Sequence, residues 1–348
     1  MKVAICLQEK NHLSFLQEII NTLPSLTEIT IYTTNFHKNN LYINSHQIKF
    51  RNYSLIKLFI DSNKYDKIII DEINNIHLFE LAIFIPFAKK MYLVIHNLKS
   101  WFRPNMKIKF RNILVSIYRL ILTKIFSNYI VVGNNLKKWG FDNSSNKNRF
   151  YFIPFGFNEH YKLFIEDKKE KIINIVIPGM ICKRRSYENI VNIIKHFQYS
   201  KNIYFVFLGK AFDAYGKSIL KEVEILDNVK VYYNYIEPEE YEKQLVKSDY
   251  IFADFLPQYK TMFQQEEIYG LTKETGIIYL SMIYNKPLIL PSHYLGMQEI
   301  DSQILRFTDY TSILNLFHKL INTPELSNSL YRKAKENKIA VKKIIDNI

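Results

Sequence analysis

A chain of 348 residues, 48% hydrophobic and 23% charged, has the bulk for two folded domains and too much apolar content for a disordered segment. Its two cysteines, Cys6 and Cys182, make no disulfide framework, the apolar run at the start is too short for an export signal, and no uncharged apolar run approaches about 18 residues, so neither export nor a membrane span is expected and the cytoplasm is the expected compartment. The net charge of +14 is lopsided: residues 1–160 hold 21 Lys and Arg against 10 Asp and Glu, with no acid between Glu80 and Asp142, a field that attracts a polyanion or an anionic bilayer.

In chain order, residues 2–7 read as a strand and 12–23 as a helix, with Leu13, Leu16, Ile19, Ile20 and Leu23 at helical spacing. A strand at 28–34, a helix at 55–60, a strand at 67–73, a helix at 78–88 and a strand at 91–96 follow, with later strands at 129–132 and 151–153. This alternation predicts a mostly parallel sheet covered on both faces, which binds ligands at the carboxyl edge of its strands. His96-Asn97 ends one of those strands and can hydrogen-bond a ligand hydroxyl or phosphate; Asp71-Glu72 ends another and, ranked below it, is a candidate general base for a hydroxyl.

The charged run E-D-K-K-E-K at 166–171 marks a boundary, after which the alternation restarts. Strands are expected at 172–177, 203–208, 229–233 and 250–254, and helices at 187–196, 216–226 and 238–246. Residues 1–160 and 172–309 are thus two doubly wound α/β domains facing across a cleft, and 310–348 a charged helical tail. Between the first strand and helix of the second domain lies P-G-M-I-C-K-R-R-S, where Lys183, Arg184 and Arg185 can neutralise a diphosphate. The stretch 209–218, G-K-A-F-D-A-Y-G-K-S, tempts as a phosphate loop, but its glycines stand too far apart for the backbone cradle to close. No metal-binding motif is present, so no metal is expected.

The segment 266–276, E-E-I-Y-G-L-T-K-E-T-G, sets Glu266 and Glu274 on either side of seven residues and leads into an apolar helix. The free N–H groups of that helix start, at Thr275-Gly276, suit a diphosphate, and Lys273 stands beside it. Followed by N-K-P-L-I-L-P, this order of loop, helix, turn and strand resembles the donor-binding segment of GT-B glycosyltransferases, especially the retaining family-four type with its E-x7-E signature. The family's glycine spacing counts to Gly270 from Glu267, the seven-residue gap from Glu266, so either glutamate can take the first position. Gly179 and Arg185 match the ends of the family's G-R-x-x-x-x-K segment, with Met180 in the arginine's place and Arg184 nearby to supply the charge. P-F-G-F-N at 154–158 resembles the turn closing the first half of these enzymes, Gly209 their strand-end loop, and His96-Asn97 their H-[DN] pair.

The resemblance implies a metal-independent glycosyltransferase with no cofactor, moving a sugar from a nucleotide diphosphate sugar, a UDP-sugar being the expected donor, to a hydroxyl of a saccharide or lipid-linked saccharide. It implies catalytic roles for His96 and Glu266, and donor contacts from Gly179, Arg184, Arg185, Gly209, Glu267, Gly270, Lys273, Glu274, Thr275 and Gly276, with Glu274 on the ribose. In the first domain, 101–128 reads as one long helix, apolar around most of its girth with a polar stripe at Lys109, Asn112, Ser116, Arg119 and Thr123. Such a helix suits a bilayer surface, with Lys107, Lys109, Arg111 and Arg119 as the expected membrane or acceptor contacts and a peripheral place on the inner face of the membrane. Nucleic-acid binding and a catalytically inactive sugar-binding homologue are the competing readings. No nucleic-acid recognition motif accompanies the basic charge, so no nucleic-acid partner is expected.

Overall fold

The computed structural model describes residues 1–7, 13–34, 41, 47–71, 79–106, 110–154, 172–261, 265–346 and 348. The chain forms two compact units, one of Met1–Asn158, Lys260–Glu274 and Ile344–Ile348, the other of Glu159–Tyr259 and Thr275–Lys343. The segment expected at the centre of the second domain therefore belongs, up to Glu274, to the first.

The first unit is built on seven parallel strands, β1 (Lys2–Cys6), β2 (Glu28–Thr33), β3 (Gln47–Asn52), β4 (Lys67–Ile70), β5 (Met91–Val94), β6 (Asn128–Val131) and β7 (Arg149–Phe152). They lie in the order β3-β2-β1-β4-β5-β6-β7, so the winding reverses between β1 and β4. Strand β5 is buried throughout and β4 nearly so, as their unbroken apolar runs require when both faces of a sheet are covered. The helices are α1 (Leu13–Thr22), α2 (Leu55–Asp61), α3 (Leu98–Phe102), α4 (Phe110–Ile125) and α5 (Asn134–Asn143), and Phe79–Lys90, expected to be α-helical, is a 3-10 stretch around Pro86.

Helix α4 does not face the way its composition suggests. Ser116, Arg119 and Thr123 of the polar stripe are buried, while Phe110, Leu114, Ile117 and Ile121 are exposed. The interior supplies partners for the stripe. The Gln265 side chain donates to Ser116 Oγ at 2.9 Å and to the Asn105 carbonyl at 3.0 Å, and accepts the Asn105 amide at 2.6 Å. The Arg119 guanidinium lies 5.5 Å from the Trp101 ring, and burial lowers its pKa to about 10 against the pull of Glu267. Arg119 is thus a core residue and not the membrane contact expected of it. Lys107, Lys109 and the side chain of Arg111 lie outside the described residues.

The second unit holds six parallel strands, β8 (Ile173–Pro178), β9 (Ile203–Leu208), β10 (Val229–Val231), β11 (Tyr250–Phe252), β14 (Leu288–Pro291) and β15 (Ile304–Phe307), while β12 (Gln258–Lys260) and β13 (Glu266–Ile268) make a separate two-stranded sheet. The order β10-β9-β8-β11-β14-β15 puts the reversal between β8 and β11. Its helices are α6 (Glu188–His196), α7 (Ala214–Val223), α8 (Pro238–Lys247), α9 (Gly276–Tyr284), α10 (Tyr310–Asn322) and α11 (Pro324–Lys343). Ile190, Ile193 and Ile194 of α6 point into a core with Ile175, Phe205, Phe207, Phe252 and Phe317, whose rings pack tilted at centroid distances of 5.6 to 5.9 Å along Phe252, Phe317 and Phe205. The last residues leave this unit: the Asp346 carboxylate accepts the Phe152 amide at 2.8 Å and Lys137 Nζ at 2.6 Å, tying the terminus to β7 and α5. Among the described residues, no helix is long and apolar enough to cross a membrane.

Candidate functional site

Each unit presents chemistry at the carboxyl edge of its own sheet. In the first, the Asp71 amide prolongs the β1–β4 pairing by bonding to the Cys6 carbonyl at 2.9 Å, which sets the buried Asp71 carboxylate at the point where the winding reverses. His96, just beyond β5, has Nε2 3.6 Å from Asp71 Oδ1, an ion-pair distance once the imidazole is protonated, and the Phe15 ring packs edge-on to it at 6.0 Å. A strand-end carboxylate and a strand-end histidine from neighbouring strands thus form a pair.

The same edge receives residues 265–274. Leu98 N–H donates to the Thr272 carbonyl at 2.9 Å, and Lys273 Nζ donates to Asn97 Oδ1 at 2.9 Å, placing the lysine beside the residue that follows His96. Glu267 is 0% exposed. Its Oε1 accepts Ser100 N–H at 2.8 Å and its Oε2 accepts Lys99 N–H at 3.2 Å, so it satisfies donors in the first turn of α3 that have no intrahelical acceptor. Burial still pushes its carboxyl above the usual range, against the hydrogen bonds from Thr272, Ser100 and Lys99. Glu267 is an internal clamp, and the sugar contact considered for it does not fall to a side chain sealed in this way. Strand alternation turns its neighbour Glu266 to the other face, where it is half-buried. One strand further along the sheet, Asn135 Nδ2 donates to the Gly270 carbonyl at 2.7 Å and to Glu274 Oε2 at 3.1 Å. His96, Asn97, Lys273, Glu274 and Asn135 therefore gather over the ends of β4, β5 and β6.

In the second unit, Gly179 ends β8 with φ of +92°, a conformation only glycine adopts without strain. The Arg185 guanidinium lies against it, donating to the Pro178 carbonyl and sitting 5.9 Å from the Phe255 ring. Gly209 closes the turn: a Cβ there would come within 1.9 Å of the Gly179 carbonyl oxygen. Gly179, Gly209 and Arg185 are thereby brought together at the carboxyl end of β8. Arg184 is exposed, with Nη2 3.2 Å from Met180 Sδ, and the Lys183 amide bonds to Asp213, which caps α7. Beside this turn, Asp254 follows β11, is 4% exposed and accepts Asn189 Nδ2 at 2.9 Å; burial raises its pKa above the usual aspartate range. Sequence reasoning missed Asp254, Asn189 and Asn135, and the only signal for the first was its place after a strand.

Thr275 caps α9, its Oγ1 accepting the Ile277 amide at 3.4 Å. Among the described residues, no heavy atom lies within 4 Å of where a Gly276 Cβ would stand, so this helix start is open to them. An arginine, a glycine-built turn and an open helix start at one sheet edge can meet the charge of a diphosphate.

No protein-family model matches the chain, and no curated protein matches its sequence. Solved structures do match its fold. A glycosyltransferase from Rickettsia africae superposes with a TM-score of 0.63 at 10% identity, over 97% of this chain and 93% of its own. HepE from Anabaena, solved with UDP and glucose, gives 0.63 at 10% identity over 99% and 96%. A UDP-GlcNAc 2-epimerase from Neisseria meningitidis, bound to UDP-GlcNAc, gives 0.54 at 13% identity over 99% of both chains. The chain has the GT-B architecture of two Rossmann-like α/β domains, each with a parallel sheet wound in both directions from its centre.

Proposed function

We propose that this protein is a glycosyltransferase that moves a sugar from a UDP-sugar to a hydroxyl of a saccharide or lipid-linked saccharide. The observation that carries the reading is the turn at the end of β8, where Arg185 lies against Gly179 and Gly209 packs on the Gly179 backbone, at the reversal of the second sheet. Breaking the bond between sugar and diphosphate builds negative charge on the leaving phosphate, and preorganised donors that meet this charge lower the barrier. Arg185, Arg184 and the helix start at Thr275-Gly276 supply those donors, so the reading calls on no metal. Glu274, next in sequence to that helix start, accepts a ribose hydroxyl, and Glu266 and Lys273 serve the transferred sugar. His96, steadied by Asp71, takes the proton of the reacting hydroxyl. The uridine nucleotides in HepE and in the epimerase favour a uridine donor.

The deciding experiment incubates the purified chain with UDP-sugars, with and without saccharide and lipid-linked saccharide acceptors, and follows UDP release and the sugar product. UDP release that depends on acceptor supports the proposal. Failure of every UDP-sugar to bind by calorimetry, or conversion of the donor sugar in the absence of acceptor, would overturn it.

A further inference from the structure

Among the described residues, the first unit carries an exposed apolar surface. On α4, Phe110, Leu114, Ile117 and Ile121 recur at steps of three and four and share one face, and they are 75%, 49%, 41% and 49% exposed. Two neighbouring elements extend the surface. The 3-10 stretch Phe79–Lys90 packs against α4, with Tyr118 hydrogen-bonded to the Ala82 backbone, and exposes Ile83 and Ile85. Helix α2 packs on that stretch through Phe59, whose ring meets Phe84 at 5.9 Å and Phe87 at 5.7 Å, and exposes Ile56 and Ile60. Aliphatic side chains on three adjoining elements make a patch rather than scattered exceptions, and such patches mark a binding surface.

The charge beside the patch selects the partner. Lys124 continues the exposed face of α4 one step beyond Ile121, Lys57 stands between Ile56 and Ile60 in α2, and Lys89 lies near the end of the 3-10 stretch; all three are exposed. Residues 81–141 contain 11 Lys and Arg and no acid. A second copy docking face to face would set these cations against their own kind. A bilayer with anionic headgroups receives both the cations and the aliphatic side chains.

We propose that the outward face of α4, with Ile83 and Ile85 and the exposed edge of α2, docks this protein on an anionic lipid bilayer. The aliphatic side chains enter the boundary between headgroups and acyl chains, and Lys57, Lys89 and Lys124 meet the headgroup phosphates. This goes beyond the sugar-transfer reading and does not depend on it.

The test is co-sedimentation of the full chain with vesicles of phosphatidylcholine alone and of phosphatidylcholine mixed with phosphatidylglycerol. The expected result is retention on the mixed vesicles only, weakened by salt. Ile117→Glu and Ile121→Glu, separately and together, should abolish retention while the thermal melt stays that of the parent. Lys124→Glu, which keeps the apolar face whole, should weaken retention by roughly fivefold or more. Absence of retention on the mixed vesicles, or full retention of the Ile117→Glu/Ile121→Glu protein, would overturn the proposal. So would a parent dimer in solution that Ile121→Glu dissociates, since the face would then be a contact between copies.

Discussion

Glu267 and Ser100 stand 167 positions apart and are joined by a 2.8 Å hydrogen bond between a fully buried carboxylate and a helix-start amide. This bond, with its companion from Lys99, pins Glu267 and its strand to the first unit and supplies a counter-charge for buried Arg119. Removing it strands the amides and takes away a charge that favours the buried guanidinium. Glu267→Ala should cost about 3 kcal/mol of stability, and Glu267→Gln, which keeps an acceptor, about half of that or less. The only two tryptophans, Trp101 and Trp139, both lie in the first unit, so urea unfolding followed by their fluorescence reports on the unit concerned. Equal midpoints for Glu267→Ala and parent would show that the clamp carries no stability.

The Asp71–His96 pair leads to a kinetic expectation. His96→Ala should lower turnover by about a hundredfold, the low end of what a positioned general base supplies, with UDP affinity unchanged. Asp71→Asn, which leaves the imidazole in place without its charged neighbour, should lower kcat by less and leave the KM for the donor alone. Steady-state kinetics beside calorimetric UDP binding separates the two effects. A His96→Ala protein that binds UDP poorly and turns over normally would place His96 on the donor and not at the reacting hydroxyl.

Legibility in the sequence followed how each residue is used. Strands such as β4 and β5, apolar throughout because both faces are covered, stood out, as did α6 with its isoleucines on one side. Strand β3, Q-I-K-F-R-N, lies at a sheet edge with most of its residues exposed, and α5 is largely polar, so neither left an apolar pattern to read. The motif at 266–276 was visible, but its partner was not, because Glu267, Gln265 and Lys273 each make hydrogen bonds to residues more than a hundred positions away. Long-range partners also account for α4, whose polar stripe is buried beside Val115 and Leu122: it reads as a solvent face until residues such as Gln265 that satisfy it are known.

At the β8 turn, Arg185→Ala should weaken UDP binding by roughly ten- to a hundredfold, the loss of a charge-assisted contact to phosphate. Arg185→Lys should recover only part of this, because a lysine cannot both donate to the Pro178 carbonyl and present a planar fork to a phosphate. Gly209→Ala probes the turn itself. Its Cβ would fall 1.9 Å from the Gly179 carbonyl oxygen, a backbone atom, so the turn must open, and UDP affinity should drop although no charge is lost. Calorimetry on the three variants checks the ordering, and a Gly209→Ala protein with parent affinity would remove the turn from the donor site.

Asp254 gives a pH dependence with a defined sign. Burial raises its folded-state pKa above the ordinary aspartate value, outweighing the hydrogen bonds from Asn189 and Ser186 and the nearby His293. Between the ordinary value and the raised one, the folded protein holds a proton that the unfolded chain has released. The associated stability is complete below the ordinary value and is lost as pH rises through the folded value. Asp254→Asn deletes this titration, and the amide still accepts from Asn189. The variant should therefore show a flatter profile of Tm against pH, gaining on the parent as pH rises and giving up that gain in acid. Thermal melts of both proteins from about pH 4 to about pH 8 make the comparison, and parallel profiles would show that the Asp254 carboxyl titrates alike in the folded and unfolded chain.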